Sequence, residues 1–194
     1  MSVSGQAPTA PTGISPSLRN ALADSVPSRA PSPAPPVTLA PVGHEHAPRM
    51  VLELADKTEL QGISFGAEGK SVSGECVFQT GMVGYVESLT DPSYEGQILV
   101  LTYPLVGNYG VPARPASDDE VPKLKAPFES SRIHVAALVV AYYSHDFSHY
   151  LAASGLSDWL KEQGVPAVYG IDTRALTKRI RTKGSCLLYT SDAA

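Results

Sequence analysis

Alternating apolar and polar residues predict β-strands in the stretch that begins near residue 50. Successive side chains of a strand point to opposite faces, so one face enters the core and the other meets water. Residues 75–80 alternate in this way, with Cys76 and Phe78 on the same face. Two more strands are predicted at 50–54 and 60–65, on either side of a polar turn at 56–57.

Two longer runs, at residues 98–103 and 133–142, are almost entirely apolar. Such runs are typical of central strands, which are covered on both faces. Between them, residues 107–128 are rich in Gly, Pro and Asp and predict a long surface loop.

Helical spacing replaces this alternation in the last third of the chain. Leu156, Trp159 and Leu160 form a narrow apolar face, with Ser157 predicted as the N-cap and Gly164 as the end of the helix. The combination of several strands with a few helices predicts an α/β domain that is rich in strands.

A short strand at 167–171 and a second helix are predicted to follow. Asp172 or Thr173 caps that helix, and Leu176 and Ile180 face inward. Its cationic side chains lie near its C-terminus, where the helix dipole favours them.

Composition changes sharply near residue 49. Ten of the 17 prolines lie in the first 48 residues, among Ala, Ser and Thr and without one aromatic residue. Such a segment buries too little apolar area to offset the entropy of ordering, so residues 1–48 are predicted to be a disordered leader. A mitochondrial transit peptide is the alternative, although the prolines would break the amphipathic helix that such peptides form.

Overall composition favours a soluble globular protein, with 43% hydrophobic and 18% charged residues. A net charge of −4 argues against nucleic acid as a partner. The longest apolar run falls well short of the roughly 20 residues that span a bilayer, so no membrane partner is expected. Two cysteines do not make a disulfide framework and favour a reducing compartment.

Candidate chemistry is sparse. His145 and His149 are four residues apart, but without a Cys or third His beside them a metal site is not expected. A nucleophile elbow needs a small residue on both sides of the cysteine, but Cys76 and Cys186 are each followed by two large apolar residues, so no catalytic residue is predicted. Residues 69–71 imitate the end of a phosphate-binding loop, but the earlier glycine of that motif is Ser64, and a hairpin turn is favoured.

The densest polar cluster spans residues 79–94. Gly81 and Gly84 would allow a close backbone approach, and Asp91-Pro92-Ser93 predicts a turn. From these residues alone, a merely structural connection and a binding site are equally open.

Four sequence blocks resemble the small subunit of glutamine-dependent carbamoyl-phosphate synthetase. They lie at residues 78–85, 87–94, 101–110 and 171–178, and the similarity covers about 50–187. Residues 128–140 look most like the fused pyrimidine-pathway proteins of animals and fungi. The resemblance implies a three-layer β/β/α N-terminal domain at residues 49–188.

The resemblance also implies a role. In the family this domain packs against a glutaminase domain and against the synthetase portion, which uses ATP and Mg; no cofactor is expected on the domain itself. One glutamine contact is implied here, the serine of the Asp-Pro-Ser-Tyr motif, which is Ser93. A hydroxyl on a fixed turn can donate to or accept from a polar substrate.

The resemblance therefore predicts part of a ligase of pyrimidine synthesis, with a cytoplasmic location and a mitochondrial alternative. The arginine-pathway enzyme and a stand-alone interaction module remain alternatives. After residue 188 the sequence departs from the family, and residues 189–194 are expected to be a non-native tail of a truncated chain.

Overall fold

The computed structural model describes residues 48–115, 117–123, 127–183 and 186–192. The strands among them, in chain order, are β1 (Arg49–Leu54), β2 (Glu59–Ser64), β3 (Ser73–Gln79), β4 (Ile98–Leu101), β5 (Leu105–Val106), β6 (Val111–Pro112), β7 (Ala137–Val139), β8 (Tyr142–Tyr143), β9 (Ala152–Ser154), β10 (Ala167–Tyr169) and β11 (Cys186–Asp192). The helices are α1 (Tyr85–Thr90), α2 (Leu156–Gln163) and α3 (Thr173–Lys183), with 3-10 turns at Pro92–Tyr94 and Asp118–Lys123.

Seven of these strands close into a barrel in the order β1-β11-β3-β4-β7-β10-β2. β1 closes it by pairing with both β2 and β11, and β3, β4, β7 and β10 form a parallel run of neighbours. Two short two-stranded sheets, β5 with β8 and β6 with β9, are not part of this barrel.

The barrel sheet separates two apolar clusters, because strand side chains alternate between its faces. Ile98 and Val100 of β4 belong to the interior cluster, whereas Leu99 and Leu101 belong to the outer one. Helix α3 contributes Leu176 and Ile180 to the interior cluster. Helices α1 and α2 pack on the outer cluster. The α/β class is thereby confirmed, and the two walls of the barrel with the outer helices correspond to the three implied layers.

Several local predictions are confirmed. The hairpin of β1 and β2 turns at 56–57, where Lys57 adopts a positive φ of 65° and its N–H donates to the carbonyl of Leu54. Cys76 is fully buried in the interior cluster, with Phe78 partly buried beside it. Asp172 caps α3 by accepting from the N–H of Ala175 at 2.8 Å.

Four local predictions were wrong. Within residues 133–142 the central strand is only β7, and Tyr142 starts a separate ribbon, because the chain leaves the barrel after Val139. Residues 107–128 are not simply a surface loop, since Val111 is buried in β6 and Phe128 packs on the outer cluster. Ser157 does not cap α2. Its hydroxyl donates instead to the carbonyl of Phe65 at 2.6 Å, and the N-cap is Gly155.

Residues 69–71 do not form a hairpin turn either, since β2 pairs with β1 and β10 rather than with β3. Lys70 crosses to the C-terminus of α2, where its ammonium donates to the carbonyl of Gly164 at 2.8 Å. Apart from residue 48, the predicted leader lies outside the described residues. Strand β11 runs through residue 192, so the expected tail of 189–194 begins within it; the origin of those residues stays a prediction.

Candidate functional site

Ser93 lies on a short turn between α1 and β4, at residues 91–96, which we call the Ser93 turn. Asp91 accepts from the N–H of Ser93 at 2.8 Å, and Pro92 fixes the first φ of the 3-10 turn. The Asp-Pro turn predicted from the sequence is therefore confirmed. Ser93 is exposed, and none of the described residues hydrogen-bonds its hydroxyl, so that group is available to a ligand or a partner.

The glycine-bearing segment before α1 is held by a tyrosine from another part of the chain. Gly84 has a φ of 92°, the left-handed region that glycine adopts readily, and it starts α1 without a side-chain cap. The N–H groups of Gly84 and Tyr85 both donate to the hydroxyl oxygen of Tyr109, at 2.9 and 3.0 Å. Tyr109 thus satisfies helix donors that a capping side chain would otherwise satisfy.

Tyr85 completes this arrangement. Its ring stacks on Tyr109 with centroids 4.0 Å apart, and its hydroxyl donates to the carbonyl of Gly110 at 2.7 Å. Burial raises the pKa of the Tyr85 phenol, and the neighbouring Tyr109 raises it further. Burial also raises the pKa of Tyr109. Both phenols therefore stay protonated at neutral pH, and their hydrogen bonds fasten the N-terminus of α1 to the loop before β6.

The segment at residues 129–134 flanks the Ser93 turn. Ser130 donates to the carbonyl of Thr90 at 2.7 Å, and the Arg132 guanidinium lies 3.2 Å from the Glu95 carboxylate. The His134 ring contacts both Glu95 and Ser130. Its hydrogen bond is the main cause that lowers the pKa of the Glu95 carboxyl. Sequence reasoning missed this cluster because His134 lies inside an otherwise apolar run.

Exposed apolar side chains form the other candidate surface. We define the apolar patch by the residues that line one shallow cleft or pair beside it: Met82, Val83, Tyr103, Leu105 and Tyr142. Met82 and Val83 are 72% and 76% exposed, which is unusual for large apolar side chains next to a buried helix. Contiguous exposed apolar surface of this kind is typical of an interaction site.

The two histidines considered as metal ligands lie against different aromatic rings. His145 packs edge-on against Tyr143 with centroids 4.6 Å apart, and His149 lies beside Tyr109 and Tyr150. Within the described parts of the chain, no group of three or more His, Cys, Asp or Glu side chains could hold a metal ion. Every helix in those parts is also too short or too polar to cross a bilayer.

The family model and the sequence relatives of this chain agree with each other. The family model described as carbamoyl-phosphate synthase small chain, CPSase domain, matches residues 52–189. Multifunctional protein URA2 of Saccharomyces cerevisiae is 61% identical over 155 residues, covering 79% of this chain and 7% of that protein. Multifunctional protein pyr-3 of Neurospora crassa is 67% identical over 137 residues, covering 70% of this chain and 7% of that protein.

An arginine-pathway relative is less similar. The carbamoyl phosphate synthase arginine-specific small chain of Saccharomyces cerevisiae is 54% identical over 127 residues, covering 66% of this chain and 30% of that protein. The chain thus spans less than a tenth of the two multifunctional relatives and less than a third of this one.

Proposed function

The chain belongs to the carbamoyl-phosphate synthase small-chain family, and on that premise we propose that it is the N-terminal part of a glutamine-dependent carbamoyl-phosphate synthase, a ligase of de novo pyrimidine synthesis. The observation that carries this proposal is the family match over residues 52–189. The higher identity to the multifunctional pyrimidine relatives favours that pathway over the arginine pathway.

Within the parent enzyme we infer a scaffold role for these residues. A covalent glutaminase step needs a nucleophile activated by a base, and Cys76 is buried within the barrel. Glutamine hydrolysis then belongs to the following glutaminase domain. ATP and Mg belong to the synthetase portion, and we expect no cofactor on this domain. We expect a cytoplasmic location, with a mitochondrial one as the alternative.

The apolar patch is the surface that we assign to those partner domains of the same enzyme. Met82 and Val83 lie in the bend before Gly84, and the hydrogen bonds of Gly84 and Tyr85 to Tyr109 fix the backbone where this bend meets α1. A rigid apolar surface loses little conformational entropy on docking. Three features support this assignment: the exposure of the patch, its rigid support and the fusion of several domains in the multifunctional relatives.

Ser93 is the residue that we assign to glutamine. Its hydroxyl is exposed, and the turn that carries it is fixed by Asp91 and Pro92. A hydroxyl placed in this way can hydrogen-bond the amide or carboxylate of a neutral amino-acid substrate without moving the backbone.

A domain exchange tests the proposal. In the experiment, residues 52–183 of this chain replace the aligned segment of Multifunctional protein URA2. The chimaera should retain glutamine-dependent carbamoyl phosphate synthesis, whereas a deletion of the same segment should abolish it. The matched exchange into the arginine-specific small chain should restore less activity, because fewer of its residues are identical. A folded chimaera with URA2 that makes no carbamoyl phosphate from glutamine would contradict the proposal.

A further inference from the structure

One residue of the neighbouring segment ties both ends of the Ser93 turn through its backbone. The N–H of His134 donates to the carbonyl of Leu89, just before the turn, at 2.9 Å. The carbonyl of His134 accepts from the N–H of Gly96, at the end of the turn, at 3.1 Å. One residue, His134, therefore makes the backbone hydrogen bonds at both ends of the Ser93 turn.

The side chain of His134 makes a second connection to the same turn. Its Nδ1 contacts the Glu95 carboxylate, and because an ionised carboxylate only accepts hydrogen bonds, Nδ1 carries the proton. Its Nε2 lies 2.9 Å from the hydroxyl oxygen of Ser130. Ser130 in turn donates to the carbonyl of Thr90. The ring thus joins Glu95, two residues after Ser93, to the residue that precedes the turn.

The side chains of His134 and Glu95 differ in their exposure to solvent. The His134 side chain is only 8% exposed, so its position is set by packing, whereas the Glu95 side chain is 55% exposed. Glu95 would be free to move without its partners, and the Arg132 guanidinium adds a cationic contact. The lowered pKa of the Glu95 carboxyl shows that the ionised, accepting form is the one that these contacts stabilise.

The position of the Ser93 hydroxyl depends on this anchoring of the turn. No described residue hydrogen-bonds that group, so its place is set only by the backbone of the turn. A substrate contact loses strength when its group must be ordered on binding or lies about 1 Å from the productive position. The anchors of the turn therefore bear on how well Ser93 can meet a ligand.

We propose that His134 is a positioning residue for Ser93, which fixes the backbone of the Ser93 turn through Glu95 so that the hydroxyl meets bound glutamine. This proposal rests on the proposed function, since it requires Ser93 to contact glutamine. It assigns a role in substrate affinity to a histidine that has no contact with the substrate.

Two substitutions of His134 in the complete parent enzyme separate its two ring contacts. In His134→Asn the side-chain amide reaches the position of Nδ1 and can still donate a hydrogen bond to Glu95. In His134→Gln the amide lies nearer the position of Nε2, so the hydrogen bond to Glu95 is lost. We expect His134→Gln to raise the apparent KM for glutamine about three- to tenfold. His134→Asn should stay within about twofold of the wild type, by the same reasoning on a retained hydrogen bond.

Glu95→Ala tests the same link from its exposed end and avoids any change in the buried ring. It should raise the KM for glutamine as His134→Gln does. The matched control is Glu162→Gln, which removes another exposed ion pair, the one with Arg114, and should leave the KM unchanged. Ammonia-driven synthesis, which does not use the glutamine pocket, should be unaffected in all of these variants.

The outcomes are distinguishable when Ser93→Ala is measured in the same series. Suppose that Ser93→Ala raises the KM for glutamine while His134→Gln and Glu95→Ala leave it normal. This result would overturn the positioning role and leave the proposed function intact. A normal KM for Ser93→Ala would overturn the glutamine contact and the positioning role together. Equal effects of His134→Asn and His134→Gln, or a parallel loss of ammonia-driven synthesis, would show a merely structural histidine and overturn the proposal.

Discussion

The hydroxyl oxygen of Tyr109 lies 3.0 Å from the backbone nitrogen of Tyr85, and the two rings stack with their planes inclined by only 14°. A residue from the loop before β6 thereby caps α1 in place of a neighbouring side chain. The apolar patch and the Ser93 turn lie at the two ends of this short helix, so the contact stabilises the element that connects both candidate surfaces.

Tyr109→Phe should destabilise the domain while it keeps the stacked ring. It removes one acceptor that serves two backbone donors, of which the N–H of Tyr85 belongs to a buried residue. We expect a loss of about 1–3 kcal/mol in the free energy of unfolding, measured by urea denaturation. Tyr142→Phe, an exposed tyrosine of the apolar patch, is the matched control and should change stability by less than about 0.5 kcal/mol. Equal stabilities of the two variants would contradict the capping role.

Alkaline pH should destabilise the domain through its buried phenols. Because burial raises the pKa of Tyr85, the folded chain keeps that proton above pH 10, the usual phenol range, while the unfolded chain releases it. The unfolded state then binds fewer protons, so stability is fully present below about pH 10 and falls as the pH rises beyond it.

Tyr85→Phe should flatten this dependence. One phenol contributes a slope of up to about 1.4 kcal/mol per pH unit in the alkaline range. Urea denaturation between pH 9 and 11 measures it, with the exposed Tyr150→Phe as a control that should keep the wild-type slope. Identical slopes for all three proteins would show that the Tyr85 phenol does not couple to folding.

Sequence reasoning succeeded where local chemistry decides the structure. Ile98 to Leu101 form a central strand because every residue in that run is apolar, and Asp91-Pro92 forms a turn because the Asp side chain and the Pro ring fix the backbone. Both features can be predicted from a few neighbouring residues.

The features that hold the candidate site together could not be predicted in this way. Tyr109 caps residues 24 and 25 positions earlier in the chain, and His134 contacts Glu95, which lies 39 positions earlier. Such contacts exist only after the chain has folded, and no spacing rule connects their members. His134 also lies in an apolar run, where a polar residue is easily overlooked.

The apolar patch should control association with the rest of the enzyme without affecting the fold. The double variant Met82→Asp, Val83→Asp places charges on two exposed positions, so the free energy of unfolding should change by less than about 0.5 kcal/mol for each site. It should weaken co-purification with the glutaminase and synthetase portions and reduce self-association of the isolated chain.

Tyr150→Asp is the matched control for the patch, because Tyr150 is 88% exposed and lies outside it. This variant should associate as the wild type does. If the double variant bound the partner portions with unchanged affinity in analytical ultracentrifugation, the patch would not be the interface.

The most direct measurement of the central claim compares two nitrogen sources for Ser93→Ala in the complete enzyme. The substitution removes an exposed hydroxyl and leaves the Asp91 contact to the backbone in place, so folding should be unchanged. Loss of one hydrogen bond to a neutral substrate is worth about 0.5–1.5 kcal/mol, which predicts up to about a tenfold rise in the apparent KM for glutamine. Ammonia-driven synthesis should remain at the wild-type rate. Equal losses with glutamine and with ammonia would contradict the account, because they would show that Ser93 supports the structure and not the substrate.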